Sequence, residues 1–461
     1  MNKMNKITSF LLLGMGSVMK ALLELLNHQH HKFLTMSMTC ICPEDIPEYI
    51  YKIKPNLKHI KTHITEDNVN DLLKPLITPE TFVIDLTVNV ETIDIIKLCK
   101  QYGSMYINTS LEKYNKDESN MNPEHTTLYY QELQLEKATK DIHNPITIVH
   151  SMGMNPGAIS ALVYQGIEAY CKHYAPEKLE LLKQNKFNLV AKDILDMIHV
   201  SEFDNQEVKQ KAKPNIMINS WSGTGFVVEA LCTSFVSAME PMADYKKSKY
   251  NNRIYYSPKY RSMDSTTDSI CLYPDGTEFK YDGRMITHFE VVSLSKYLSH
   301  GDYTPRISYV YSSSPVSQKC LEFVKSNGYK EPSEYYVFTQ DDVVNKDSYD
   351  SLGATLFFRD GRKFWCGTVL TNEHTMKVLG PDAHMNATQL QISAPVLAAI
   401  EWMMANPNKG IITAEEIPYK YVLEKCIPYW GNFYCREVSQ PQAEHSNDYN
   451  VKNNKIHVDT Y

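Results

Sequence analysis

The first 152 residues alternate short apolar strands with amphipathic helices, and that alternation constrains the fold more than any other feature. Ile7–Leu13 is short, apolar and bounded by Gly14, which reads as a buried strand. Ser17–Asn27 follows as a helix with Val18, Leu22, Leu25 and Leu26 on one face. Phe33–Cys42, His59–Ile64 and Thr81–Val88 read as further strands. Ile93–Tyr102 reads as a helix, Ser104–Asn108 as a strand, Thr127–Lys140 as a helix and Ile146–His150 as a strand. This order predicts an α/β unit built on a doubly wound parallel sheet.

Residues 153–385 differ. They are rich in Tyr, Ser, Lys and Asp, their helical periodicity is weaker, and they read as a mixed α+β domain. Gln389–Ala405 returns to helix, with Leu390, Ile392, Val396, Leu397, Ile400 and Met403 as its apolar stripe. Residues 386–430 are expected to complete the first domain, and 438–461 to form a polar tail. At 461 residues the chain has room for two or three domains. Its net charge of −7 argues against a nucleic-acid binder. Ten cysteines lack paired spacing, and Cys40-Ile41-Cys42 does not suit zinc, so no metal site is expected and the thiols read as free in a reducing cytosol. The apolar run Ile7 to Leu26 is broken by Gly14, Gly16, Lys20 and Glu24. It reads as neither signal peptide nor membrane span, and the expected location is cytoplasmic.

Gly14-Met15-Gly16-Ser17 lies where the first strand meets the first helix, the position of a Rossmann-like dinucleotide turn. Gly14 permits the tight turn, and Gly16 lets backbone N–H groups approach a pyrophosphate. Met19 stands where a third glycine is usual. Cys42 stands where a ribose-binding acid is usual, with Glu44 and Asp45 just beyond it. Glu44 or backbone contacts would meet that loss; NADP is the alternative cofactor, although no Arg follows Cys42.

A second unusual segment is Asn219-Ser220-Trp221-Ser222-Gly223, followed by Glu229. A Trp among small polar residues near a carboxylate suits either a capped loop with one buried ring or a pocket for an organic cation. Glu202 leaves an apolar run three residues after His199. Glu112 follows a strand end, where open α/β sheets place ligands. Asn155 precedes Pro156 and suits a helix N-cap with Pro at N1. His288 and Glu290 flank Phe289 in a strand-like run from Met285 to Val292, which would turn both to one side.

Taken together, several segments resemble bacterial-type homospermidine synthases, relatives of the saccharopine dehydrogenases. They are Gly14-Met15-Gly16-Ser17; Tyr106-Ile107-Asn108-Thr109 with Glu112; Gly153-Met154-Asn155-Pro156-Gly157; Ile198 to Glu202; Asn219 to Ser222 with Glu229; Thr287-His288-Phe289-Glu290; and Asn386 to Gln391. The resemblance implies an NAD-dependent, redox-neutral aminobutyl transfer. A hydride leaves the aminomethylene carbon of putrescine (or spermidine) for NAD⁺, a second putrescine attacks the imine, ammonia departs, and the hydride returns. It further implies Trp221, Glu229, Glu202, His288 and Asn155 as catalytic residues and Glu112 and Glu290 as substrate-binding residues. Gly14, Gly16, Ser17, Thr87 and Thr109 are then implied to bind the cofactor, and putrescine and related polyamines to be the partners, in a homodimer. The sequence departs from the family pattern at Met19 and Cys42. It also departs at Asn89, which replaces an acid, at Ser308, which replaces a His, and after Glu229, where a Gly-Trp-Gly-Thr-His-Glu segment is replaced by Ser234 to Glu240. Two alternatives stay open: a saccharopine- or carboxyspermidine-type dehydrogenase on the same scaffold, and a non-catalytic relative.

Overall fold

A computed structural model describes residues 6–114, 121–240 and 242–439. The strands, in chain order, are β1 Ser9–Leu13, β2 Ser37–Cys42, β3 Lys58–Lys61, β4 Thr81–Asp85, β5 Met105–Asn108, β6 Ile148–Val149, β7 Leu195–Asp204, β8 Ile216–Asn219, β9 Thr233–Ser237, β10 Lys246–Lys247, β11 Ile254–Arg261, β12 Thr266–Leu272, β13 Glu278–Ile286, β14 Arg306–Ser312, β15 Glu334–Val337, β16 Tyr349–Phe358, β17 Lys363–Thr371, β18 Ile411–Ile412 and β19 Asn432–Val438.

The first sheet runs β18-β6-β5-β4-β1-β2-β3 with every pairing parallel. Without β18 this is the 3-2-1-4-5-6 order of dinucleotide-binding sheets, whose direction of winding reverses between β1 and β4. The strands are nearly continuous apolar runs because helices cover both faces: Phe10 to Leu13 and Phe82 to Ile84 are all buried. The helix Ser17–His28 covers β1, and Met19, Leu22, Leu23, Leu25 and Leu26 form its buried side. The helix Ala387–Ala405 packs against it from the far end of the chain, and β18 returns to pair with β6. The parallel α/β sheet is thus present as the alternation predicts, with shorter strands. Lys32–Thr35 forms a 3-10 turn instead of starting β2, and β4 stops at Asp85.

The second sheet runs β10-β11-β9-β14-β7-β16-β17-β19, with β12 and β13 joined to β14. It is mixed: β14 pairs with β7 in parallel and β7 with β16 antiparallel. β8 and β15 form a separate two-stranded ribbon. Of the expected polar tail, Val438 ends β19, and residues 440–461 lie outside the described residues.

Candidate active site between the two sheets

The glycine turn sits at the winding reversal. Gly14 has φ +79°, and a Cβ there would meet the Leu86 carbonyl oxygen at 2.9 Å, so a side chain would collide with the turn after β4. Beside Gly16 a Cβ would meet nothing within 4 Å, which leaves open room at the start of the Ser17–His28 helix. Among the described residues no side chain caps that helix. Room, a close backbone and uncapped N–H groups fit a pyrophosphate. Met19, in place of the third glycine, is fully buried in the helix–sheet layer.

Other expected cofactor residues lie on the same side. Thr87 donates from its backbone N–H (3.2 Å) and its hydroxyl (2.6 Å) to Asp85 Oδ1. Tyr106 donates to Asp85 Oδ2 at 2.7 Å, and Asn108 Nδ2 donates to the Tyr106 hydroxyl at 3.0 Å. Asn108 Oδ1 accepts from Ser151 N at 2.8 Å, which ties β5 to the loop after β6. Thr109 is half-buried, its methyl 3.4 Å from where a Gly153 Cβ would stand. The Ser17 hydroxyl donates to the Trp221 carbonyl, so the glycine turn touches the Trp loop directly.

The substrate-side residues converge on one face of the second sheet. Side chains alternate along β7, so Glu202 and Asp204 share a face while His199 points to the other. His199 lies against Ser269 and Phe357 and is not part of the site. β14 adds Tyr309 and Tyr311 to the Glu202 face, and β16 adds Asp350, directly opposite Asp204. Glu202 Oε2 accepts from Tyr309 OH at 2.7 Å and from Asn155 Nδ2 at 2.8 Å. Burial raises the Glu202 carboxyl to about 7, against these hydrogen bonds. Burial likewise raises Asp204 to about 6 and holds Asp350 well above the usual carboxylate range, where Glu202 and Asp204 add to the effect.

Asn155 is not a helix cap. The Asn155–Pro156 peptide bond is cis and the helix begins only at Ile159. The loop closes on itself through Gly153 N donating to Pro156 O at 2.7 Å, and Gly157, at φ +133°, lies over Gly153 where no side chain fits. That closure leaves the Asn155 amide free to reach Glu202.

His288 and Glu290 do not lie in a strand. β13 ends at Ile286, His288 is the extended N-cap of the helix Phe289–Leu298, and Glu290 sits in its first turn. A helix start brings the pair together as closely as the expected strand: His288 Nδ1 bonds Glu290 Oε2, and Nε2 lies 3.4 Å from Glu229 Oε1. Burial opposes charge on the imidazole, but the two carboxylates outweigh it and hold His288 up at about 10. Burial also raises Glu229. Glu112, fixed by Ser110 OH at 2.6 Å, is raised to about 7 by burial, with Glu229 close enough to add to the effect.

Trp221 is half-buried. Its ring lies over Gly225, where a Cβ would meet Cζ3 at 3.0 Å. Ser222 caps the following helix, its Oγ accepting from Gly225 N at 3.0 Å. The segment is thus a capped turn beside a half-buried indole, not a fully buried ring. Aromatic contacts run from Trp221 through Phe226 (6.5 Å), Tyr311 (5.6 Å) and Tyr309 (5.5 Å) to His288 (4.8 Å). The half-buried Glu112, Asn155, Trp221 and Glu229 thus form a rim over the buried Glu202, His288, Glu290 and Asp350. The sequence reading missed Asp85, Asp204, Tyr309 and Asp350. The available signal was a polar residue within an apolar strand, and for Asp204 its two-residue offset from Glu202.

The chain is similar to several known proteins. Residues 10–149 match the model of the saccharopine dehydrogenase NADP binding domain. A homospermidine synthase from Mesorhizobium japonicum is 26% identical over 439 residues, 91% of this chain and 88% of that protein. One from Blastochloris viridis is 26% identical over 441 residues, 91% and 89% of the two chains. Together these findings support a homospermidine synthase-type protein. In fold, the chain is similar to the homospermidine synthase of Legionella pneumophila, solved in complex with NAD (TM-score 0.79, 22% identity, 94% of this chain and 91% of that one). It is also similar to saccharopine dehydrogenase (L-Glu forming) from Saccharomyces cerevisiae (TM-score 0.52, 11% identity, 94% and 100%).

Proposed function

We propose that the protein is a homospermidine synthase that transfers an aminobutyl group to putrescine, either from a second putrescine with release of ammonia or from spermidine with release of 1,3-diaminopropane. One observation carries this reading: Glu202, Asp204 and Asp350 gather on one buried sheet face beside the rim acids Glu112 and Glu229. Asp350 Oδ1 and Glu290 Oε1 are buried without a hydrogen-bond partner among the described residues. Unmatched buried acceptors call for a ligand rich in donors and positive charge, and an alkyl diammonium supplies both. A carboxylate-bearing substrate of the saccharopine class would meet repulsion from the same groups.

NAD is the cofactor in this reading, and residues 1–152 with 386–430 are its binding unit; 153–385 form the substrate unit. Gly14, Gly16 and Ser17 would hold the pyrophosphate, and Thr87 and Thr109 would line the approach to the nicotinamide. When bound, NAD supplies reversible hydride acceptance. The chain's own groups then do the rest. Glu202 and Asp350 anchor one ammonium. Asn155 and Tyr309 fix the Glu202 carboxylate. Trp221 offers its ring face to the cationic centre, a contact worth roughly 0.5–2 kcal/mol. Glu229, bridged to His288, takes the proton that an ammonium must lose before its carbon can release hydride. His288, held charged by Glu290, returns a proton to the departing ammonia. Two putrescines give one homospermidine and one ammonia, so no net reduced cofactor accumulates.

The test is mass spectrometry of products from putrescine and catalytic NAD⁺. Triamine and ammonia in equal amounts, with no steady rise in nicotinamide absorbance, support the reading. Stoichiometric consumption of reduced cofactor with an aldehyde partner would instead assign a reductive dehydrogenase.

A further inference from the structure

A cavity of about 100 Å³ lies where the helix Leu128–Thr139, the ends of β6 and β18 and the last turn of the helix Phe289–Leu298 meet. None of its lining residues belongs to the site described above. Phe289 and Lys296 share one face of their helix, and Glu290 projects about 100° around from that face. The His150 ring meets Phe289 edge-on at 5.3 Å, so the cavity adjoins the Phe289 face and not the Glu290 face.

Leu135, Thr139, His150 and Ile412 form its buried floor. Glu136, Lys296 and Glu416 stand exposed around its mouth. Glu132 lines it between the two. Glu132 Oε2 is buried 3.4 Å from His150 Nε2, yet it accepts no hydrogen bond among the described residues. His150 is 1% exposed, and its Nδ1 is engaged with Ser151 Oγ at 3.2 Å, which leaves Nε2 facing Glu132 alone. Burial holds this imidazole down at about 4, so it stays neutral and lends Glu132 no counter-charge. Burial also raises the Glu132 carboxyl to about 7, and a cation beside it would bring it down. Lys296 pairs with Glu136 at 3.7 Å.

Three carboxyl groups and one lysine therefore surround a cavity whose inner polar atoms lack partners. An anion would meet repulsion there. Among the described residues no three side chains converge as metal ligands. A purely apolar occupant would leave Glu132 and His150 unsatisfied. A primary ammonium brings three N–H donors and the missing charge. An apolar cavity of about 150 Å³ takes benzene, so this one has room for an ammonium and roughly three carbons. Those carbons would lie against Leu135 and Ile412, and a second ammonium would emerge toward Glu136 and Glu416.

We propose that this cavity is a second polyamine site, separate from the catalytic one, which takes the primary ammonium end of an aliphatic polyamine. Polyamine as the occupant rests on the function proposed above; the demand for an alkylammonium rests on the cavity alone.

Isothermal titration of the full-length protein with spermidine at about pH 8, without cofactor, tests this with Glu132 ionised. Two classes of site are expected. Glu202→Gln should weaken one class and spare the other. Glu132→Gln should weaken the second class by at least about tenfold while kcat for putrescine changes by less than about twofold. Glu416→Lys, an exposed change at the mouth, should weaken the same class and decides the matter if Glu132→Gln does not fold. A single class that only Glu202→Gln weakens, or two classes that neither cavity variant alters, overturns the proposal and leaves the catalytic reading standing. A single class lost in the cavity variants and kept in Glu202→Gln supports the proposal and counts against the catalytic reading. No spermidine binding at all overturns the proposal.

Discussion

The central residues are carboxylates held where carboxylates are expensive. Glu202 keeps its proton in the folded chain up to about 7, whereas an unfolded glutamate loses it near its ordinary value. The sign follows: below that ordinary value both states are protonated and the group costs nothing. As pH rises toward 7 the unfolded state releases the proton first, and stability falls. Glu202→Gln removes this penalty, so the ligand-free variant should melt higher than the native protein. Its advantage should grow between about pH 5 and about pH 8 in calorimetry. The same variant should lose activity, a trade of stability against function. Glu229→Gln and Trp221→Ala should each lower kcat/KM for putrescine by at least about tenfold, roughly 1.4 kcal/mol of transition-state binding. Near-native rates in both variants would remove these residues from the site. His288 responds differently. Its charge is favoured by Glu290 and Glu229, so its contribution is complete below the ordinary histidine value and fades only as pH rises toward 10.

At the scale of elements, the Trp loop is held by the start of a distant helix. Asn386 caps Ala387–Ala405 through its Oδ1, and its Nδ2 donates to the Ser220 and Phe338 carbonyls at 2.9 and 3.0 Å. Gln389 donates to the same two carbonyls at 2.8 and 3.1 Å. Asn386→Ala should cost about 1–3 kcal/mol in denaturant unfolding and lower kcat. Asn386→Asp keeps the cap acceptor and loses both donors. If it recovers stability without recovering kcat, the loop contacts are what matter for turnover. Element-level physics also explains what the sequence disclosed. Apolar strands between amphipathic helices announced the parallel sheet, because burial on both faces demands that pattern. The glycine turn was legible for the same reason, since its glycines mark backbone positions. Asp204 and Asp350 left only a faint signal. Each lies in a strand whose neighbours are buried, and only pairing β7 with β16 places the two acids opposite each other. The Asn155 loop and the helix after His288 were misread because Pro and alternating polarity permit more than one local backbone. Long-range contacts to Glu202 and Glu229 accompany the conformations seen.

For the whole molecule, direct links join the two sheets, among them Ser17 with the Trp221 carbonyl, Ser248 with Glu124, and Ala387–Ala405 packed on Ser17–His28 while its first residues hold the Trp loop. A ligand seated on the glycine turn would bear on both halves. Saturating NAD⁺, at about a hundred times its Kd, should stabilise the folded chain by about 2.7 kcal/mol, seen as a melting temperature that climbs with ligand concentration. The central claim is that hydride leaves an amine carbon and returns within one closed, acid-lined site. Putrescine carrying deuterium on both aminomethylene carbons, turned over with unlabelled NAD⁺, tests it most directly. The account predicts triamine that retains the full label; triamine that has lost deuterium to protium, or no triamine at all, would contradict it.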